Sequence, residues 1–193
     1  SDVVFSAENA NKTYAFDVAE VIPADEDKVP GVTYDSHTHE VVISVTDNLD
    51  GTLTVTTKID GRVVSDDSRR VLFENTYHAE DASFATADFG LTKVLEGSDW
   101  REGDNFTFLL EGVNGAPVPM GDDGASSTRV VLGPDDVADG AAKIDFGSIA
   151  YTQPGQYDYR VTEERGSAGG MSYSNNVATF RVTVRDNTET GKL

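Results

Sequence analysis

Three polar side chains lie where the strand pattern predicts core residues, and their chemical types could react together. They are a lysine, a glutamate and an asparagine, and each is spaced two residues from apolar neighbours. The three alternating sets are Leu91, Lys93 and Leu95; Tyr157, Tyr159, Val161 and Glu163; and Val71, Phe73, Asn75 and Tyr77. Alternate residues of a strand point to one face, so the three polar groups are predicted to point inward. Burying such a group without a partner costs several kcal/mol, and we therefore expect the three to meet.

A lysine, a carboxyl group and a carboxamide that meet away from water can form an amide cross-link. Desolvation lowers the pKa of an amine and raises the pKa of a carboxyl group, so the two can exist as neutral amine and neutral acid. The amine can then attack the carboxamide, while the acid polarises its carbonyl and carries a proton to the departing ammonia. Each residue alone also has an ordinary explanation, because a lysine at a strand end can extend into solvent, a glutamate can lie at a sheet rim, and asparagine often ends a strand.

The elements that must position these groups are short β-strands. Period-2 patterns rich in Val, Thr, Phe and Tyr occupy residues 41–45, 53–57, 70–77, 106–110, 156–163 and 178–184. Turn sequences such as Asp50-Gly51, Asn114-Gly115 and Pro154-Gly155 separate them. No convincing helical stripe longer than two turns is present. Strands of this length and spacing predict an all-β sandwich or barrel.

The sequence also repeats itself over the length of a domain. Three segments recur in the same order at an offset of about 140 residues, with 14–20 matching 157–163, 32–34 matching 171–173, and 41–48 matching 180–187. Glu20 recurs as Glu163 within this alignment. We therefore predict tandem repeats cut out of phase: residues 1–77 are the C-terminal part of one repeat, 78–88 a linker, and 89–193 the N-terminal and middle part of the next, without its last strand.

These motifs resemble the streptococcal-type pilin isopeptide-linkage domains of Gram-positive major pilins and surface adhesins. Residues 91–97 with 106–108 look like the family's lysine strand, 151–163 like its glutamate strand, and 71–77 like its closing strand. The resemblance implies an immunoglobulin-like β-sandwich of the collagen-adhesin B-repeat type. It also implies roles for four residues, with Lys93 as nucleophile, Glu163 and Glu20 as catalytic acid and base, and Asn75 as acceptor.

The family pattern places the complementary strands of both repeats outside the chain. The lysine strand for Glu20 and Asn75 would precede residue 1, and the asparagine strand for Lys93 and Glu163 would follow residue 193. A bond from Lys93 to Asn75 could still form by strand exchange between two molecules, or by Asn75 folding back within one molecule. We predict Lys93 to Asn75 as the cross-link, with the choice between the two glutamates open.

The repeats and the resemblance indicate a structural stalk or shaft module of a Gram-positive pilus or adhesin, because repeated units suit spacing more than chemistry. We predict no enzyme activity beyond autocatalytic bond formation. A ligand-binding adhesin domain on the same fold is the alternative, and an acidic hydrolase ranks third. The expected partners are neighbouring repeats or pilin subunits, a second copy of the chain, and a host-surface ligand of unknown identity. The expected location is extracellular, on a protein anchored to the cell wall.

Composition excludes several other classes. The chain has 34 acidic and 15 basic residues and a net charge of −19, which argues against nucleic acid and anionic membrane partners. No apolar run approaches the roughly 18 residues of a membrane span. There is no cysteine, and we expect no cofactor and no metal. Asp47 to Gly51 resembles a calcium loop but is better explained as a hairpin turn, and His37 and His39 lack a third ligand.

Overall fold

The structure is a computed structural model that describes residues 3–65, 70–167 and 170–193. The chain divides into two compact units, residues 1–78 and 79–193. In the described residues, β-strands are joined by turns and single 3₁₀ turns, and no helix is long and apolar enough to cross a membrane. The all-β prediction is confirmed.

The first unit is built on one antiparallel sheet of four strands. Its strands are β1 (Thr13–Ala19), β2 (Val32–Thr33), β3 (Thr38–Asp47), β4 (Leu53–Ile59), β5 (Arg62–Val64) and β6 (Thr76–Tyr77), with 3₁₀ turns at Ala7–Asn9 and Asp25–Asp27. The sheet order is β1-β3-β4-β5, and β2 pairs with β6 separately. Asp60 and Gly61 form the two-residue turn between β4 and β5, both with positive φ, which suits the twist of a hairpin.

One face of this sheet is apolar and only partly covered. Directly opposed residues share a face, so the pairing of β1, β3 and β4 places Phe16, Val41 and Ile59 in one row. Of the described residues of the unit, only Val45 and Thr57 are buried, and Phe16 remains 51% exposed. The first unit therefore has a sheet with a core-type face but little enclosed core.

The second unit encloses a core between two layers. Its strands are β7 (Ala82–Ala85), β8 (Thr92–Val94), β9 (Phe106–Gly112), β10 (Arg129–Leu132), β11 (Val137–Ala138), β12 (Ala141–Lys143), β13 (Ser148–Tyr151), β14 (Gly155–Glu163) and β15 (Val177–Val184), with 3₁₀ turns at Thr86–Phe89, Val113–Gly115 and Pro134–Asp136. One layer is the sheet β10-β9-β14-β15, and the other contains the sheets β11-β12-β8 and β13-β7. Alternation along β9 and β14 turns Phe106, Phe108, Tyr159 and Val161 inward, where they join Ile149 of β13 in one cluster.

Two expectations about local structure are corrected. The predicted strand over 70–77 forms only at its end, as β6, because the backbone N–H of Glu74 donates to the side chain of Asp35 instead of to a neighbouring strand. The segment predicted as a linker, 78–88, contributes β7 and most of a 3₁₀ turn to the second unit from residue 79 onward. There β7 pairs with β13, and the fully buried Thr86 donates to the carbonyl of Gly147.

Candidate functional site

A lysine and a glutamate meet between the two layers of the second unit. Lys93 is the central residue of β8, and Glu163 is the last residue of β14 in the opposite layer. The Nζ atom of Lys93 donates to Oε1 of Glu163 at 2.7 Å, with the two side chains only 12% and 3% exposed. The same Nζ lies 4.4 Å from the ring centroid of Phe106. We call Lys93 and Glu163 the lysine half-site.

The lysine half-site adjoins a cavity. The cavity has a volume of about 370 Å³ and is lined in part by Lys93, Glu163, Ser174 and Asn176. The second carboxylate oxygen of Glu163, Oε2, accepts the backbone N–H of Ser174 at 3.0 Å. Both oxygens of the glutamate therefore have partners, one of them the lysine, and the cavity gives space beside them.

A glutamate and an asparagine meet in the first unit. Glu20 directly follows β1, and Asn75 directly precedes β6. The Nδ2 atom of Asn75 donates to Oε1 of Glu20 at 2.8 Å. The other oxygen of Glu20, Oε2, is buried without a hydrogen-bond partner in the described part of the chain. We call Glu20 and Asn75 the asparagine half-site.

Asp35 organises the asparagine half-site. Its backbone N–H donates to Oδ1 of Asn75 at 2.8 Å. Its carboxylate accepts the backbone N–H groups of Glu74 at 3.0 Å and of His37 at 2.8 Å, and it also contacts the His37 ring. These hydrogen bonds, that of Glu74 first, lower the pKa of Asp35 to about 2.

The four residues predicted from the sequence thus form two pairs, each within one unit: Lys93 with Glu163, and Asn75 with Glu20. Asp35 was not predicted, because a polar loop residue breaks no apolar pattern. The internal repeat does point to it, since Asp35 follows Tyr34 as Ser174 follows Tyr173.

The other polar candidates have local partners. His39 Nδ1 lies 2.8 Å from Oδ2 of Asp60, and the described residues contain no group of three His, Cys, Asp or Glu side chains that could hold a metal. In the segment with a calcium-loop appearance, Asp47 accepts the N–H of Leu49, as expected of a hairpin turn.

The structure is thus an all-β fold in which a buried lysine and an asparagine are each hydrogen-bonded to a glutamate. The sequence model of the Spy0128-like isopeptide containing domain, FctA, matches residues 1–78 and 89–193, so the chain belongs to this family. The resemblance found in the sequence is confirmed.

Solved structures of the major pilin from Streptococcus pyogenes also match. That pilin and a variant of it are 21% and 22% identical to this chain and give TM-scores of 0.29 and 0.31. The matches cover 86% and 100% of this chain, and 57% and 70% of the pilin chains. Among curated proteins, none matches the chain.

Membership in a pilin family identifies the chain as a structural module of a pilus shaft. Pilins of this family lie on the surface of Gram-positive bacteria and associate with other pilin subunits. The predicted structural role is therefore confirmed at this level.

Proposed function

We propose that the chain forms autocatalytic Lys–Asn isopeptide bonds and that these bonds strengthen a stalk anchored to the cell wall. The observation that carries the proposal concerns two glutamates at equivalent positions of the internal repeat, which bind different partners. Glu163 holds a lysine, and Glu20 holds an asparagine. A complete reactive group needs a lysine, a glutamate and an asparagine together, and each half-site supplies two of the three.

The buried oxygen of Glu20 gives the place for an incoming amine. A buried carboxylate oxygen without a partner is costly, and an amine that donates to it removes that cost. In the lysine half-site, the amine of Lys93 already occupies one glutamate oxygen. Docking of a lysine strand on the first unit would give Glu20 one oxygen for the amine and one for the carboxamide.

The reaction balances without any other reactant. Proton transfer along the 2.7 Å hydrogen bond from Lys93 to Glu163 leaves a neutral amine and a neutral acid. The amine attacks Cγ of the asparagine, and the glutamate passes its proton to the asparagine nitrogen and takes one proton from the attacking nitrogen. The bond from Cγ to the asparagine nitrogen then breaks as the new amide forms, and the departing ammonia takes the second proton from the glutamate and leaves as ammonium. The buried carboxyl returns to its original state, so it acts as a true catalyst of a single turnover.

For the residues of this chain, we propose the bond Lys93 to Asn75, formed between two molecules by strand exchange. Asn75 arrives together with Glu20, and Lys93 with Glu163, so one contact brings both half-sites together. Because Lys93 lies in β8, the covalent bond would hold the docked strand to β8 of the second unit under load.

Intact mass tests the proposal. Incubation of the purified chain should give oligomers that survive boiling in detergent, with one ammonia lost per bond. Lys93→Arg and Asn75→Ala should each abolish them, whereas the matched exposed-site controls Lys143→Arg and Asn105→Ala should not. A monomer whose mass stays unshifted through long incubation would contradict bond formation by this chain.

Synthetic peptides separate the two half-sites. An acetylated, labelled peptide of residues 89–97 carries the lysine strand, and one of residues 70–78 carries the asparagine. The first should label the chain at Asn75 and the second at Lys93, each with loss of ammonia. Labelling that persists in the Asn75→Ala or Lys93→Arg variant would rule out the assigned acceptor or nucleophile.

A further inference from the structure

The carboxamide of Asn75 is held at both ends in one orientation. A backbone N–H can only donate, so the atom that faces the N–H of Asp35 at 2.8 Å must be the carbonyl oxygen. The nitrogen then faces the carboxylate of Glu20, 2.8 Å away. In this orientation the nitrogen that will leave lies beside Glu20, which carries the proton. The carbonyl oxygen accepts a hydrogen bond from the N–H of Asp35.

We propose that the backbone N–H of Asp35 is the oxyanion donor of amide formation at Asn75, a role that rests on the isopeptide function proposed above. When an amine attacks Cγ, a C–N bond forms and the carbonyl π pair moves to Oδ1. That negative charge develops at the atom that already accepts the Asp35 N–H. The pair then returns to re-form the carbonyl, the Cγ–Nδ2 bond breaks, and Nδ2 leaves as ammonia with the proton from Glu20, which in turn takes the proton that the attacking nitrogen gives up.

The side chain of Asp35 makes this donor rigid. Its carboxylate accepts the N–H of Glu74, the residue just before the acceptor, and the N–H of His37 in its own loop. One residue therefore fixes the donor and the backbone of the acceptor relative to each other. A donor that is already aligned needs no reorganisation while charge develops, which is the condition under which an oxyanion donor is effective.

The second unit contains the equivalent backbone N–H, and there it donates to a different acceptor. Ser174 occupies the repeat position of Asp35, and its N–H donates to Oε2 of Glu163 at 3.0 Å. Its hydroxyl accepts the N–H of Asn176 at 3.2 Å. This side chain therefore holds its own loop by a backbone hydrogen bond, as the side chain of Asp35 does in the first unit. While no carboxamide is bound, the N–H of Ser174 donates to the catalytic glutamate, Glu163. We assign it the same role there, with the N–H moving to the acceptor oxygen when an asparagine strand docks.

Replacing one backbone N–H by an ester oxygen tests the assignment. The full chain is prepared with the α-hydroxy analogue of aspartate at position 35, which keeps the side chain and removes only the N–H. Its reaction with the labelled 89–97 peptide is followed as rate against peptide concentration and pH. The maximal rate should fall about 10²- to 10³-fold, while the half-saturating concentration and the pH profile stay unchanged.

The matched control is the same ester change at Val29. Its N–H donates to the hydroxyl of Tyr34 at 3.0 Å, so the control loses one hydrogen bond close to Asp35, on the other side of β2, without touching the carboxamide. The control should react at the rate of the unmodified chain. An equal loss of rate in both ester variants would assign the effect to loop structure and overturn the oxyanion role.

The remaining outcomes separate the two proposals. If the unmodified chain does not react with the lysine peptide, the isopeptide function and the oxyanion role both fail for the first unit. If it reacts and the position 35 ester reacts equally fast, only the oxyanion role fails. Should the position 35 ester not fold, the ester at Ser174 is tested with the 70–78 peptide. An unchanged maximal rate there overturns the inference.

Discussion

Removing the charge of Glu163 should destabilise the second unit, because Lys93 then has no anion beside it. The two side chains are 3% and 12% exposed and 2.7 Å apart, so the pair is largely buried. Breaking a buried pair by removing one partner costs about 3 to 5 kcal/mol. Glu163→Gln keeps an oxygen that can accept a hydrogen bond, so we expect a loss of about 2 to 4 kcal/mol in the unreacted protein.

A second substitution separates the effect of leaving Lys93 without its ion-pair partner from the effect of changing the packing. In the double variant Lys93→Met with Glu163→Gln, no charge is left unpaired, and an uncharged pair of similar volume is often nearly neutral for stability. The double variant should therefore recover at least about 1.5 kcal/mol of the loss in Glu163→Gln. Neither variant should form the cross-link, because one lacks the proton carrier and the other also lacks the nucleophile.

Urea unfolding followed by tryptophan fluorescence measures these changes in the second unit alone. Trp100 is the only tryptophan of the chain, and its ring packs edge-on against Phe106 at 5.1 Å. Phe106 also lies under the amine of Lys93, so the signal originates beside the half-site. If Glu163→Gln and the double variant unfold at the same urea midpoint, with the same slope, then an unpaired Lys93 does not destabilise the second unit and the reasoning is refuted.

The remaining predictions concern pairs outside the half-sites. The hydrogen bond between His39 and Asp60 raises the pKa of His39 and lowers the pKa of Asp60. The raised histidine contributes stability that is lost as pH rises through its folded pKa, and the lowered carboxyl contributes stability that is lost as pH falls through its own. The pair should thus stabilise the first unit most between about pH 4 and 6.5, checked by ring NMR titration of His39 and by unfolding across pH. Asp60→Asn should reduce the loss of stability above this range, whereas part of the loss at acid pH should persist because the pKa of Asp35 is also lowered. Thr86→Val should cost the second unit about 1 to 3 kcal/mol, because the buried hydroxyl accepts from Phe146 N–H at 2.8 Å and donates within the same turn; an unchanged urea midpoint would contradict this. Burial raises the pKa of Tyr159 and Tyr151, whose hydroxyls are 2.9 Å apart, so ultraviolet titration should show both ionising only after the exposed tyrosines.

The sequence predicted the strands of the second unit best, because there the apolar alternation and the burial agree. Phe106 and Phe108 are buried on either side of the polar Thr107 in β9, and Glu163 continues the inward row of Tyr159 and Val161 in β14. A period-2 pattern reports which face is inward, and Lys93 and Glu163, both predicted to point inward, are hydrogen-bonded to each other in the structure.

The failures have a common physical cause, which is a polar side chain that makes hydrogen bonds to residues far away in the sequence. The segment 70–75 alternates like a strand, but the carboxylate of Asp35 accepts the N–H of Glu74 across 39 positions of sequence. The segment 78–88 is polar like a linker, but the hydroxyl of Thr86 bonds to residues 60 and 61 positions away. Neither partner is visible in a local window, so no periodicity could have revealed them.

The two half-sites also imply an order of events. Each glutamate offers separate oxygens, and in both units Oε1 binds the reactive side chain of that half-site. Oε2 of Glu20 accepts no hydrogen bond from the described residues, so an arriving amine displaces none of their groups there. Oε2 of Glu163 already accepts the N–H of Ser174, so an arriving carboxamide must first release that donor, which then becomes available to its carbonyl oxygen. In the proposed reaction, docking of the strand assembles the acid, the nucleophile and the oxyanion donor in one step, and we expect the chain to remain unreactive until its complementary strand is in place.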